Sequence, residues 1–270
     1  MDLVTIIVTV YNGENTIVST VKSIIEQTYT NIEIIIVDDY SKDNTWKIIN
    51  EIAKGDSRVK IYKNNKKGRA QALNFAINKS SGRYIANIDA DDLSHPDRIM
   101  RQIEFFEKYN HYGFISTDAL IIFNDDIPKW DNEIRRGDEF NFTEMSEEIK
   151  WSNNITHSSI MVDTKVIDKN TFRYNEDLTR VLDYDLWITL YIQGYRLAKL
   201  HEKLVAKRIH INQSYESKNR IVYLKTIRSM QLYRFKKHLA IRERLLIEIK
   251  FLYGLLPQKI RMKMKKIVDI

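Results

Sequence analysis

Cysteine is absent from the 270 residues. That excludes a disulfide framework and any thiolate metal site, and nothing in the chain demands an oxidising compartment, so the cytoplasm is its simplest home. With only 3 prolines, 8 glycines and no low-complexity tract, the chain is neither collagen-like nor disordered. No run approaches the ~18 apolar residues of a membrane-spanning helix. The N-terminal MDLVTIIVTVYNGEN opens with an acid, and its apolar run is short and β-branched, so it reads as a first strand rather than a signal peptide. Neither glycine-rich phosphate cradle, G-x-x-x-x-G-K-[ST] or G-x-G-x-x-G after a strand, is present.

What remains is a chain whose length suits one large α/β domain with an appendage. Its formal charge of +7 is uneven, because 14 Lys or Arg face only 3 acids from Arg220 to the end. The rest of the sequence is therefore net acidic. Strand-like and helix-like patterns alternate at short spacing through the first half, which favours βαβ units and a mainly parallel sheet. Strands are expected at Val4 to Val10, Ile32 to Val37, Arg58 to Tyr62 and Arg83 to Ile88. A helical stripe follows the first at Ile17, Val21, Ile24 and Ile25, and Asp43 or Asn44 is placed to cap the next helix. Ala70 to Asn78 reads as helix, and Ser94 before Pro96 marks the start of another with Ile99, Ile103 and Phe106 on one face. Phe123 to Trp151 is expected to be irregular, Ser158 to Val162 a strand, Asp183 to Gln193 a helix and the last fifty or so residues helical. Ligands of open parallel sheets bind beyond the carboxyl ends of the strands, which singles out the loops after Val10, Val37 and Ile88.

Asp89, Asp91 and Asp92 set three carboxylates within four residues just after an apolar strand. Such a cluster repels itself unless a cation offsets the charge, and hard oxygen ligands suit Mg²⁺ or Mn²⁺, which bind phosphate oxygens in turn. The alternative is a solvated acidic turn in which Asp92 or Ser94 caps the following helix. Asp38 and Asp39 end another expected strand; alone they read as a turn, but beside the first cluster they point to a nucleotide or metal site.

The segments VTIIVTVYNGENTI, IEIIIVDDYSKDNT, GRYIANIDADDLSHPDRIMRQIEFF, NNITHSSIMV and LDYDLWITL resemble, in order and spacing, the motifs of family-2 glycosyltransferases with the GT-A fold. The resemblance covers roughly residues 3–210. It implies an open, mainly parallel twisted sheet flanked by helices over residues 1–215, with a nucleotide-binding part (1–123) and an acceptor-binding part (124–215); the composition of residues 216–270 adds a basic amphipathic helical extension. Thr9, Tyr11 and Asn12 then lie near the nucleotide base, Glu14 orders their loop, and Asp39 accepts from the base. Arg69 and Lys67 stand where a basic side chain meets base or phosphate, with a solvated loop as the alternative. The family's D-x-D falls on Asp89 and Asp91, extended by Asp92; one acid meets the ribose and another the metal. His210 is a further candidate for metal or diphosphate, and His157 and Asp185 for the donor sugar or acceptor. Asp183 matches the family's catalytic base. If its segment is helical, Asp183 and Asp185 diverge by about 200° and cannot both face the acceptor.

Three positions depart from the family pattern: Thr9 replaces a proline, Tyr40 a glycine and Leu182 a glutamate. Tyr40 questions the turn, because tyrosine resists the positive φ that glycine accepts. The implied activity is inverting transfer of a hexose-type sugar from a nucleoside-diphosphate donor, commonly a UDP-sugar, to a hydroxyl acceptor such as a lipid-linked glycan. The basic tail fits contact with an anionic membrane at the inner face of the cell, or packing on the domain or a homo-oligomer. Metal-dependent nucleotidyl transfer is a rival that would release pyrophosphate. A non-catalytic nucleic-acid binder is disfavoured by the lack of any recognised module or interleaved aromatics.

Overall fold

A computed structural model describes residues 1–124, 126–130, 137, 139–209, 220–236, 239–257 and 260–261. The chain divides into two compact units, Met1–Ile149 with Asn153–His210, and Lys150–Ser152 with Ile211–Ile270.

The larger unit is built on one sheet in the order β3-β2-β1-β4-β8-β6-β9-β5, with β7 paired to β9. Strands β1 (Val4–Val10), β2 (Ile32–Asp38), β3 (Val59–Lys63) and β4 (Tyr84–Asn87) run parallel. They are joined through helices α1 (Ile17–Ile25), α2 (Thr45–Gly55) and α3 (Arg69–Lys79). Every residue of β2 is buried, which is why it reads as an almost unbroken apolar run: a strand covered on both faces shows no alternation. Beyond β4 the sheet becomes mixed. Strand β8 (Met161–Asp163) is antiparallel to both β4 and β6 (Phe114–Phe123), and β9 (Leu197–Ile209) runs parallel to β6 with a register break around Asp118. Short β5 (Leu93–Ser94) and β7 (Phe142–Glu144) pair antiparallel with β9. Helix α4 (Arg98–Lys108) buries Ile99, Ile103, Phe105 and Phe106, and α5 (Leu182–Ile192) is buried around most of its circumference.

Three expectations are revised locally. Ser94 does not cap α4; it lies in β5, opposite Val205, and α4 begins at Arg98, where the Asp97 N–H donates to His95 Nδ1 over 3.1 Å. The expected strand from Ser158 begins instead as a 3-10 turn, His157–Ser159, before β8. The segment expected to be irregular holds β7 and a second 3-10 turn, Glu148–Lys150. At the start of α2, Asn44 occupies the cap position without a side-chain cap bond, and Asp43 Oδ1, one residue earlier, accepts from the Thr45 N–H at 3.0 Å.

The smaller unit contains α6 (Arg220–Arg234) and α7 (Ile241–Leu255). Gly254 of α7 lies against Leu224, Arg228 pairs with Glu248 at 2.6 Å, and Gln231 donates to the Lys150 carbonyl at 3.0 Å. Among the described residues no helix is long and apolar enough to cross a membrane.

A buried carboxylate fastens the sheet at the end remote from the β1, β2 and β4 loops. Glu33, on β2, accepts from the Thr5 hydroxyl at 2.5 Å, from Lys60 at 2.7 Å and from the Ser81 N–H at 2.6 Å, so β1, β3 and the turn before β4 converge on it. Gly82 completes this junction, because a Cβ there would stand 2.6 Å from the Thr5 nitrogen. Burial alone would raise the Glu33 carboxyl, but the bonds from Lys60, Thr5 and Ser81 outweigh it and hold it down from 4.5 to about 2. A depressed carboxyl stabilises the fold above its unfolded pKa and loses that contribution as pH falls through the folded value. The shift corresponds to about 3 kcal/mol. Denaturant unfolding between neutral pH and about 2 is expected to show Glu33→Gln less stable at neutral pH and less acid-dependent than the native chain. An unchanged acid dependence would refute the fastening role.

Candidate active site

Parallel pairing sets the site. Val10 of β1 lies opposite Asp38 of β2, and Ile7 opposite Asn87 of β4, so the three following loops emerge at one edge. Because β8 is antiparallel to β4, the turn that precedes β8 arrives at the same edge and brings His157 and Ser158 to the acids.

The first two loops are knitted together. Asn12, at φ +52, donates through its N–H to Ser41 Oγ at 2.9 Å and accepts from the Lys42 N–H at 2.8 Å. Glu14 Oε2 accepts from both the main-chain and side-chain nitrogens of Asn44 at 2.9 Å, so this carboxylate orders the loop rather than standing open. Thr9 lies within β1, Tyr11 is exposed, and Lys67 sits 5.6 Å from the centre of the Tyr11 ring. Asp39 Oδ1 accepts from Asn64 Nδ2 at 2.8 Å and from the Gly68 N–H at 2.9 Å, tying the loop after β2 to the one between β3 and α3. Gly68 has φ +141, a conformation that L side chains rarely adopt. Tyr40 takes the left-handed turn in spite of its side chain, at φ +65. Its strain is on the order of 1 kcal/mol relative to glycine, and its hydroxyl donates to the Asn65 carbonyl at 3.2 Å.

The three clustered aspartates occupy different environments. Asp89 Oδ1 accepts from Arg69 Nη2 at 2.7 Å and lies 3.1 Å from His157 Nδ1, while its N–H donates to Ser158 Oγ at 3.2 Å. Burial would raise its carboxyl, but the charges of Arg69 and His157 hold it well below the usual range. Arg69 is correspondingly raised by the Asp89 charge, although half its side chain is exposed to solvent. Asp91 stays partly exposed, and its carbonyl accepts from Arg208 Nε at 2.9 Å. Asp92 is turned inward: Oδ1 accepts from the Arg208 N–H at 2.8 Å and Oδ2 from the Ser158 hydroxyl. Burial, then the charges of Asp89 and Asp91, push its carboxyl up to about 7. Arg98 lies beneath, fully buried, donating to the Asn87 and Ile160 carbonyls at 2.8 and 3.1 Å. Burial lowers its guanidinium to about 9 against the opposing influence of Asp92.

Asp183 lies in the first turn of α5, and its Oδ2 accepts from Asn153 Nδ2 at 2.9 Å. Val181, just before the helix, has φ +48. Asp185 is buried while Asp183 is partly exposed, as their angular separation requires. Tyr174 joins the two halves: its hydroxyl is 2.8 Å from His157 Nε2, and the charges of Asp183, Arg69 and Asp89 all act on it. Asp89, Arg69, His157, Tyr174 and Asp183 thus form one cluster. His210 lies outside the described residues. Among the described residues no group of three or more His, Asp or Glu is arranged to hold a metal ion.

Four contributors carry little signal in sequence. Tyr174 is held by reciprocal 2.9 Å bonds with Asn74, a hundred residues earlier. Asn153 acts on Asp183, thirty residues later, and Arg98 on the Ile160 carbonyl, sixty-two residues later. Asn87, two residues before Asp89, was the most accessible of the four, and its Nδ2 donates to the His157 carbonyl at 3.1 Å.

The family model described as "Glycosyl transferase family 2" matches residues 5–171. The chain is 36% identical over 217 residues to the UDP-Glc:alpha-D-GlcNAc-diphosphoundecaprenol beta-1,3-glucosyltransferase WfaP of Escherichia coli, covering 78% of each chain. Among solved structures it resembles S. aureus TarS 1-349 in complex with UDP-GlcNAc, with a TM-score of 0.66, 17% identity, and coverage of 94% of this chain and 72% of that one. It spans 43% of the longer TarS chain. The mannosyltransferase PcManGT from Pyrobaculum calidifontis, in complex with GDP-Man and Mn²⁺, gives a TM-score of 0.65 at 19% identity, covering 92% of this chain and 69% of that one. The mixed sheet flanked by helices is therefore of the GT-A type, and the chain belongs to glycosyltransferase family 2.

Proposed function

We propose that this glycosyltransferase moves a hexose-type sugar from a UDP-sugar to a hydroxyl of a lipid-linked glycan at the cytoplasmic face of a membrane, inverting the anomeric centre. The observation that carries the reading is the convergence of Asp89, Arg69, His157, Tyr174 and Asp183 at the edge where the β1, β2 and β4 loops emerge. The relative WfaP, named for a UDP-glucose donor and a diphosphoundecaprenol-linked acceptor, supports the substrate classes.

In this reading Thr9, Tyr11, Asn12 and Asp39 receive the base, with Lys67 and Arg69 as the cations nearest base and phosphate. Asp89 and Asp91 supply the oxygens at the diphosphate, and His210 is retained as a candidate there. A Mn²⁺ or Mg²⁺ ion fits this donor set, because such ions are held by one or two carboxylates together with substrate phosphates. Asp92, with both oxygens engaged, supports the loop from below. When bound, the ion supplies Lewis-acid neutralisation of the charge that grows on the departing diphosphate.

The chain's own groups account for the remaining steps. Asn153 holds one oxygen of Asp183, leaving the other to accept the proton of the acceptor hydroxyl. The acceptor oxygen attacks the anomeric carbon from the face opposite the nucleoside diphosphate, whose bond to that carbon breaks as the new one forms. Arg69 holds positive charge beside the leaving group. His157, braced between Asp89 and Tyr174, shapes the sugar pocket, and buried Asp185 supports α5 from within.

Asp183→Asn is expected to lower kcat by a factor of about 10² to 10⁴ with the donor KM nearly unchanged, measured by UDP release. Full activity would remove Asp183 from the mechanism. Asp91→Ala is expected to abolish the thermal stabilisation given by UDP with Mn²⁺ while sparing the melting temperature of the free protein. Asp92→Ala is expected to lower that melting temperature itself, because it strips the acceptor from the buried Ser158 hydroxyl and Arg208 N–H, at roughly 1–3 kcal/mol. Equal behaviour of the two variants would contradict the division of roles.

A further inference from the structure

We infer that α7 docks on an anionic lipid surface through an apolar stripe formed by Ile241, Leu245, Ile249 and Leu252. At about 100° per residue these positions fall within one sector of the helix, roughly 80° wide, over three turns. All four are open to solvent, at 88%, 60%, 51% and 60% exposure. The other side of the same helix is already used: Ile247 and Gly254 are buried, Gly254 against Leu224 of α6. Packing of α7 on its neighbour therefore does not explain the stripe. A helix apolar on two sides is stable in water only when both are covered, and a contiguous exposed apolar patch marks an interaction surface.

Charge identifies the occupant. Arg242 stands exposed at one margin of the stripe; at the other, Glu248 is paired with Arg228, and exposed Arg244 lies just beyond it. The segment from Arg220 to Ile270 carries 14 Lys or Arg against 3 acids. An apolar sector between cations matches the boundary between acyl chains and anionic headgroups, where leucine and isoleucine enter the acyl region and arginine reaches back to phosphate. The same density of positive charge opposes the meeting of two such faces from two copies of the chain. None of the residues assigned to the reaction is involved, so this inference stands apart from the proposed donor and acceptor.

The test is co-sedimentation of the full chain with vesicles of phosphatidylcholine alone or mixed with phosphatidylglycerol. Binding is expected only to the anionic vesicles, and it is expected to weaken as salt rises. The pair Leu245→Glu with Leu252→Glu is expected to cut partitioning ~tenfold or more, with the melting temperature and UDP binding unchanged. Three results would overturn the inference: no sedimentation with anionic vesicles, equal sedimentation with neutral ones, or undiminished binding by the double variant. A concentration-dependent dimer that the double variant abolishes, without vesicle binding, would assign the stripe to a second copy instead. If UDP-sugar turnover fails while vesicle binding behaves as expected, only the proposed function falls.

Discussion

Negative charge crowded at the end of β4 is the constraint around which the rest of the site is arranged. Three carboxylates within four residues cannot all be ionised side by side in a partly buried place without compensation. The fold compensates each differently. Arg69 balances Asp89 directly. Asp92 is withdrawn into the protein, bonded by a hydroxyl and a main-chain N–H, and driven towards its neutral form by burial and by its neighbours. Asp91 keeps a partly open position, with its main-chain carbonyl bonded by Arg208. In the proposed function, the cation that accompanies the diphosphate is assigned to Asp89 and Asp91.

That arrangement depends on mixing strand directions. The parallel half delivers the β1, β2 and β4 loops to one edge, but it has no further strand to close the site. One antiparallel strand, β8, reverses the chain so that its leading turn reaches the acids from the other side. Ser158 and His157 then divide the acids between them, one holding Asp92 and the other facing Asp89. Arg98 locks the junction by bonding carbonyls on both sides of it, at Asn87 and Ile160. The buried Glu33 does comparable work at the far end of the sheet, so β1, β2 and β4 are fixed at both ends.

The parts of this plan that depend on local chemistry were legible in the sequence. A strand buried on both faces reads as an apolar run, so β1 and β2 stood out, and the acids after β4 advertised themselves by mutual repulsion. The stripe of α4 followed the helical period. Strand β9 was hidden because Lys199, His201, Glu202 and Lys203 interrupt its pattern, and only pairing with β5, β6 and β7 makes it a strand. Tyr174, Asn153 and Arg98 were hidden for the same reason: each acquires its role from a partner tens of residues away. The doubt that Tyr40 raised about its turn has a physical resolution. The turn keeps its left-handed geometry: the residues after Tyr40, Ser41 and Lys42, are bonded to Asn12, and the Tyr40 hydroxyl donates to the Asn65 carbonyl.

The central claim is that the β4 acids are divided between a metal-facing role and a supporting one. A crystal structure with UDP and manganese, with the metal located by its anomalous signal, tests it most directly. The account predicts manganese bridging an Asp91 oxygen and the diphosphate, with Asp92 still bonded to Ser158 and the Arg208 N–H. Manganese bound through Asp92, or a diphosphate seated away from the end of β4, would contradict it.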